Sequence, residues 1–277
     1  MASDVNAADA ADEKIDIIGH VLDSEYLEVP FVNAHHILDG SIVLPQFEPI
    51  YGIDLSITRH VVVMWVASAL LIALLVSAFR RPSLIPRGLA NFFEAIVLFI
   101  KDEVVQPVMG DHGKPFMPFF LTIFFFILFL NLIGLIPYSA TATGNVSVTA
   151  GLALITFTIT QVVGVINNGP FGYAKSLVPS GIPVFLLPIM IPIEVLGILV
   201  KPFALCIRLF ANMIAGHVAI LVFLSMIITL KTLLVAPFSV VFAAAIYLFE
   251  IFIAFVQAFI FTLLSALFIN MAAHPDH

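Results

Sequence analysis

The stretch KPFALCIRLFANMIAGH, residues 201–217, places a single arginine, Arg208, in the middle of a nearly unbroken apolar segment. Burying a charged side chain at the centre of a membrane helix costs at least about 2.5–3.5 kcal/mol on insertion scales. No carboxylate of this chain is expected at the depth of Arg208, so its counter-charge should come from another subunit or a bound anion. The stretch therefore favours a functional arginine inside a membrane over a structural one.

The composition of the whole chain is that of an integral membrane protein. Of its 277 residues 61% are hydrophobic and only 10% are charged, whereas a soluble domain is roughly half apolar and a quarter charged. Residues 1–55 hold most of the acids and form a polar tail outside the membrane, followed by a membrane domain over residues 56–277. Since the only cysteine is Cys206, the chain has no internal disulfide and no CxxC motif. We expect no cofactor, no metal and no nucleic-acid partner.

Long apolar runs predict an all-α fold with five membrane-crossing helices. Each run is long enough to cross a hydrocarbon core of about 30 Å. The predicted spans are 61–79, 116–136, 146–166, 192–230 and 237–272. Residues 88–109 mix charged and apolar residues at helical spacing, which favours one amphipathic surface helix over a soluble segment between spans.

Basic residues set the expected orientation. Arg80, Arg81 and Arg87 follow the first span, and such clusters mark the cytoplasmic side of a membrane. Lys14 is the only base before residue 59. Five crossings then put the N-terminus outside and the C-terminus in the cytoplasm.

The last two spans are longer than a membrane is thick. At 1.5 Å per residue each is on the order of 50–57 Å long. Because most of their residues are apolar, strong tilt is favoured over ends that stand in water, and we expect more than about 40° where ordinary spans average ~20°. They are predicted to form a tilted hairpin that turns near residue 233, with Pro192 in the first turn of its first helix.

Polar residues on this hairpin are the candidate site for ion passage. They are Glu194, Lys201, Arg208, Asn212 and His217 on the first helix and Glu250 and Gln257 on the second. The first four share one stripe, because they are seven or four residues apart. Facing residues of an antiparallel hairpin have a nearly constant sum of residue numbers, which predicts that Arg208 faces Gln257 and His217 faces Glu250. The two pairs would form a polar track that leads inward to the arginine.

Each of these residues also has a simpler interpretation. Glu194 and Lys201 are compatible with charged side chains that snorkel to an interface. Asn212 and Gln257 are compatible with an interhelical hydrogen bond, which does not exclude a proton path. His217 is compatible with a buried histidine of the core.

Three motifs make the chain similar to a known family. They are RLFANMIAGH (residues 208–217), FEIFIAFVQAFIFTLL (residues 249–264) and FLNLIGLIP (residues 129–137). Over about residues 55–272 the chain resembles subunit a of the F-type ATP synthase, the stator half of the membrane proton channel. The resemblance implies two offset aqueous half-channels beside a rotating ring of c subunits, each of which carries a mid-membrane carboxylate. Protons would enter through one half-channel, ride the ring and leave through the other.

The resemblance also implies a role for each candidate residue. Arg208 matches the essential arginine, which favours the ionised form of a passing carboxylate and blocks a direct proton leak. The two amides of the hairpin match the family's asparagine and glutamine. His217 and Glu250 match the histidine–acid pair of the outer half-channel, in the order of mitochondrial members. Glu194 and Lys201 match polar positions near the inner half-channel.

Partners and location follow from the same resemblance. The implied partners are the c-ring, the b subunits of the peripheral stalk, the rest of the ATP synthase, protons and membrane lipid. The implied location is the bacterial plasma (inner) membrane. The chain itself would carry no catalytic residue. The alternatives are a secondary transporter with an intramembrane ion relay, although no internal repeat is visible, and a structural membrane scaffold.

Overall fold

The computed structural model describes residues 26–28, 41–43, 45, 56–80, 87–136, 141–176, 184–230 and 236–274. Within these ranges the chain is mainly helical. The α-helices are α1 (Arg59–Phe79), α2 (Leu89–Phe99), α3 (Gln106–Met109), α4 (Met117–Gly134), α5 (Val146–Ser176), α6 (Leu187–Leu230) and α7 (Ala236–Ala273). A π-helical segment, Ile100–Val105, joins α2 to α3, and 3₁₀ turns at Gly110–Phe116, Ala142–Gly144 and Val184–Leu186 precede α4, α5 and α6.

Within the described part of the chain, five helical stretches are long and apolar enough to cross a membrane. They are Arg59–Phe79, Leu89–Gly134, Val146–Tyr173, Leu187–Ile227 and Ala236–Ala273. In the second stretch, Gly110 has a φ of 57° and separates the charged part of the helix from the apolar α4. A left-handed φ of this kind favours glycine, and the helix is interrupted there. The predicted all-α membrane fold is confirmed.

The charged part, from α2 to α3, is amphipathic. Phe93, Ile100 and Val104 are buried, and the ring of Phe93 lies 5.6 Å from that of Phe125 on α4. The charged residues Lys101, Asp102 and Glu103 are exposed on the other face. The buried residues are seven and four positions apart, so they share the helix face that covers the bundle, while the charged residues face away from it.

Two helices are longer than the sequence predicts. Residues 146–166 are predicted as one span, yet α5 continues to Ser176 across a break at Gly169, where φ is 71° and ψ is 161°. Pro170 follows the break, and the residue before a proline avoids the helical region. The predicted start of α6 at Pro192 is wrong, because the helix begins at Leu187 and includes Pro192 in its interior. Membrane helices tolerate such prolines because neighbouring groups satisfy the freed carbonyl.

Two short strands occur in the predicted polar tail. Strand β1 (Tyr26–Glu28) pairs antiparallel with β2 (Ser41–Val43). The acidic composition of residues 1–55 gave no sign of this pairing. The remainder of the tail, apart from Pro45, and the turn predicted near residue 233 lie outside the described residues.

The core lies between α4, α5 and α7, and α6 packs against it along a narrow stripe. The largest fully buried side chains include Phe120 and Phe124 of α4 and Phe261 of α7. On α6 the stripe comprises Leu205, Leu209 and Met213, which are four residues apart. Most other side chains of the middle of α6 are partly or fully exposed, so this helix presents a broad apolar face away from its own chain.

Candidate ion-translocation site

Arg208 lies on the exposed side of α6, next to the buried stripe. Its neighbour Leu209 is fully buried, whereas the arginine itself is exposed. Among the described residues, no side chain forms a hydrogen bond or an ion pair with Arg208. A permanent positive charge on an apolar helix face is therefore available to a group outside this chain.

Asn212 and Gln257 connect α6 to α7 one turn further along. Asn212 donates Nδ2 to Oε1 of Gln257 at 2.7 Å. Gln257 is only 2% exposed, so this bond satisfies a buried amide oxygen. The hydrogen-bond partner of Gln257 is thus Asn212, four residues beyond Arg208; that Gln257 lies at the depth of Arg208 stays a prediction.

His217 and Glu250 are near each other but do not form a hydrogen bond. His217 Nε2 shares a hydrogen bond with Oγ1 of Thr141, in the segment before α5. The Glu250 carboxylate lies against Gly216, where a Cβ would overlap Oε1 and would lie 2.5 Å from Cδ. Glu250 is 5% exposed, and within the described chain neither of its oxygens has a hydrogen-bond partner. We call Thr141, Gly216, His217 and Glu250 the His217 cluster.

The segment between α4 and α5 supplies polar residues that the sequence did not single out. Thr141 Oγ1 also lies 3.3 Å from the carbonyl oxygen of Gly134. Thr143, fully buried, donates Oγ1 to Oδ1 of Asn131 at 2.8 Å. Asn131 belongs to the FLNLIGLIP motif, but nothing in the sequence indicated that a loop would bring Thr141 to His217. Only the tertiary fold brings them together.

Glu194 and Lys201 line a cavity on the other side of Arg208. Its volume is about 110 Å³, and its walls come from α5, α6 and α7. Lys201 Nζ lies 5.7 Å from the centroid of the Phe268 ring. The polar residues that α5 contributes are Thr156, Thr160, Gln161 and Tyr173. We call this space the Lys201 cavity.

The two polar regions lie on opposite sides of Arg208 along the same helix. Lys201 precedes the arginine by seven residues, or about 10 Å, and His217 follows it by nine residues, or about 14 Å. Asn212, with its bond to Gln257, lies between the arginine and the His217 cluster. Of the seven candidates, the structure thus pairs the two amides, places two residues in one cavity, groups two around Gly216 and leaves Arg208 between them.

Comparison with known proteins identifies the family. The family model described as ATP synthase A chain matches residues 61–270. This range holds all seven candidate residues. The chain belongs to the ATP synthase A chain family. The secondary-transporter alternative is thereby excluded, since this match covers most of the chain.

Curated relatives agree with the family match. ATP synthase subunit a of Chloroherpeton thalassium is 48% identical over an alignment of 272 residues that covers 96% of this chain and 79% of the relative. ATP synthase subunit a of Myxococcus xanthus is 51% identical over 234 residues, 81% of this chain and 77% of the relative. ATP synthase subunit a 2 of Prosthecochloris aestuarii is 49% identical over 262 residues, 89% of this chain and 80% of the relative.

Proposed function

We propose that this chain is the proton-translocating subunit a of an F-type ATP synthase and that Arg208 couples proton flow to rotation of a c-ring. Family membership supports the general function. The observation that carries the mechanism is an exposed arginine, without a partner in the described chain, between two polar regions of a membrane helix. Each passing carboxylate of the ring would supply the missing counter-charge.

The electrostatics of Arg208 would drive proton release. A guanidinium beside a carboxylate favours the ionised form of that carboxylate. A c subunit that arrives at Arg208 would therefore give up its proton, and one that leaves would need a new proton to enter the lipid. Since arginine keeps its own proton, it would also separate the two half-channels.

The His217 cluster would form the outer half-channel. The carboxylate of Glu250 has no hydrogen-bond partner in the described chain, and the imidazole of His217 shares a hydrogen bond with Thr141. A carboxylate and an imidazole that both exchange protons readily suit a relay through water. Asn212 and Gln257 would orient the last step towards the ring, because their bond fixes both amides.

The Lys201 cavity would form the inner half-channel. Glu194 and Lys201 are partly exposed and line a space with room for several water molecules, since a single water needs only about 10–15 Å³ of such volume. Protons released at Arg208 would leave through this cavity. Because the His217 cluster and the Lys201 cavity are offset along α6, a proton would have to be carried by the rotating c-ring from one to the other.

The orientation and partners follow from this assignment. The N-terminus would lie outside and the C-terminus in the cytoplasm of a bacterial plasma membrane, as the arginines after α1 predict. The c-ring would cover the exposed face of α6, where Phe203 is 66% and Leu199 is 53% exposed. The b subunits of the peripheral stalk would hold the chain against rotation.

Cysteine labelling in membrane vesicles tests the two half-channels. In a Cys206→Ala background, Thr141→Cys should react with a membrane-impermeant thiol reagent added outside. Glu194→Cys should react with the same reagent added inside. Reaction of both cysteines from the same side would refute the arrangement, since both polar regions would then open in one direction.

A further inference from the structure

One hydrogen bond across the break in α5 fixes a wall of the Lys201 cavity. Tyr173 donates its hydroxyl to Oε1 of Gln161 at 2.7 Å. Residues twelve apart in a continuous helix would be separated by about 18 Å along the axis. The break at Gly169 turns the chain back, so the tyrosine returns to the helix that it has just left.

The tyrosine ring is seated directly on the backbone of α5. A Cβ at Gly164 would lie 2.5 Å from Cε2 and 2.8 Å from Cδ2 of Tyr173. Any larger side chain would therefore push the ring away from its seat. Asn168 lies directly before the break and donates Nδ2 to the carbonyl oxygen of Ala272 at 3.0 Å, which anchors α5 to α7.

The wall that Tyr173 completes is polar and suited to water. Thr156 is 2% exposed, and its Oγ1 has no hydrogen-bond partner among the residues that the structure describes. Thr156, Gln161 and Tyr173 all line the Lys201 cavity. A buried hydroxyl without a protein partner is expected to bond to water where there is room for it.

The geometry points to a clasp: the Gln161–Tyr173 hydrogen bond sets how widely the Lys201 cavity opens to water. Gln161 and Tyr173 are positioning residues, because they act on the cavity by holding its wall in place. The consequence for transport rests on the proposed function. If protons leave through this cavity, the clasp controls how fast they reach the inner solution.

The test measures water access with a reporter inside the cavity. Ile198 lines the cavity, so Ile198→Cys in a Cys206→Ala background reports on access to a water-soluble maleimide in vesicles that hold the whole complex. Tyr173→Phe and Gln161→Met each remove the bond and keep the side-chain bulk. Each should speed labelling about two- to tenfold, as the loss of one neutral hydrogen bond shifts a closed–open equilibrium. Tyr247→Phe is the matched control, because Tyr247 does not line this cavity, and it should leave the rate unchanged.

The double variant decides whether the two residues act as one clasp. Tyr173→Phe with Gln161→Met should label no faster than either single variant, since both remove the same bond. Rates that multiply would overturn the clasp. Unchanged labelling in the single variants, at normal amounts of the subunit in the membrane, would also overturn it.

A steric variant provides an independent test. Gly164→Ala leaves both hydrogen-bonding groups in place but displaces the Tyr173 ring, so it should speed labelling at least as much as Tyr173→Phe. An unchanged rate in Gly164→Ala would contradict the seat on which the clasp depends.

Passive proton conduction by the same vesicles, measured after removal of the extrinsic catalytic sector, separates the clasp from the proposed function. Faster labelling with faster conduction supports both. Faster labelling with unchanged conduction supports the clasp and contradicts the inner proton path.

Discussion

Gly216 is the position at which a single methyl group should disturb proton uptake. An alanine Cβ there would overlap Oε1 of Glu250 and would lie 2.5 Å from Cδ and 2.9 Å from Cγ. Because ordinary contacts are about 3.4–4 Å, the carboxylate would have to move by about 1 Å or more. A misplacement of that size can slow a positioned reaction by up to about 100-fold. We expect Gly216→Ala to reduce proton flux between about 10- and 100-fold.

The same substitution should leave folding intact. Replacement of glycine by alanine inside a helix contributes about 0.5–1 kcal/mol of stability. The atoms that must move, Oε1, Cδ and Cγ of Glu250, all belong to one side chain and none to the backbone, so the strain on the backbone is small. Normal assembly with poor proton flux would therefore distinguish a displaced Glu250 from a damaged fold.

ATP-driven acidification of inverted membrane vesicles, followed with a pH-sensitive dye, measures this effect. Gly151→Ala is the matched control, since a Cβ at Gly151 meets nothing within 4 Å, and it should pump normally. In a Glu250→Ala background, Gly216→Ala should cause little further loss, because the side chain with which it collides is absent. Pumping by Gly216→Ala at the level of Gly151→Ala would refute the reasoning.

Three further predictions follow from the hairpin. Asn212→Leu alone should cause more than half of the loss of pumping that Asn212→Leu with Gln257→Leu causes, because it leaves the buried amide of Gln257 without its partner; additive losses from the two single variants would contradict the pair. Exchange of His217 and Glu250, as His217→Glu with Glu250→His, should retain more pumping than the product of the two single alanine effects implies, and independent losses would contradict a shared relay. Helices α6 and α7 have 44 and 38 residues and should tilt by more than about 40° from the membrane normal in an electron-microscopy structure of the complex. Helices that lie nearly parallel to the membrane normal would contradict this.

The fold was predictable from the sequence because a bilayer leaves few solutions. Apolar runs of sufficient length must be helices in lipid, since every backbone polar group needs an internal partner. The amphipathic helix before α4 was likewise predictable, because its apolar residues recur at helical spacing. What composition could not show were local exceptions, such as the strands at Tyr26–Glu28 and Ser41–Val43 or the continuation of α5 beyond Gly169.

The candidate site was predictable to the level of helix faces and no further. A polar residue within a long apolar run is easily identified from the sequence, and Arg208 and Glu250 were identified in this way. Their contacts depend on loops and on register. Thr141 reaches His217 through the segment between α4 and α5, and Gln257 bonds to Asn212, four residues beyond Arg208. The polar wall of α5 was missed because threonine and glutamine at those positions have no distinctive spacing.

The role of Arg208 is tested most directly by its replacement in the assembled complex. ATP-driven proton pumping by inverted vesicles should be abolished in Arg208→Ala while the complex still assembles, because no other described residue can supply the positive charge at that depth. Arg208→Lys should fail as well, since an ammonium lacks the planar guanidinium and loses its proton more readily in an apolar site. Robust coupled pumping by an assembled Arg208→Ala complex would contradict the proposed mechanism.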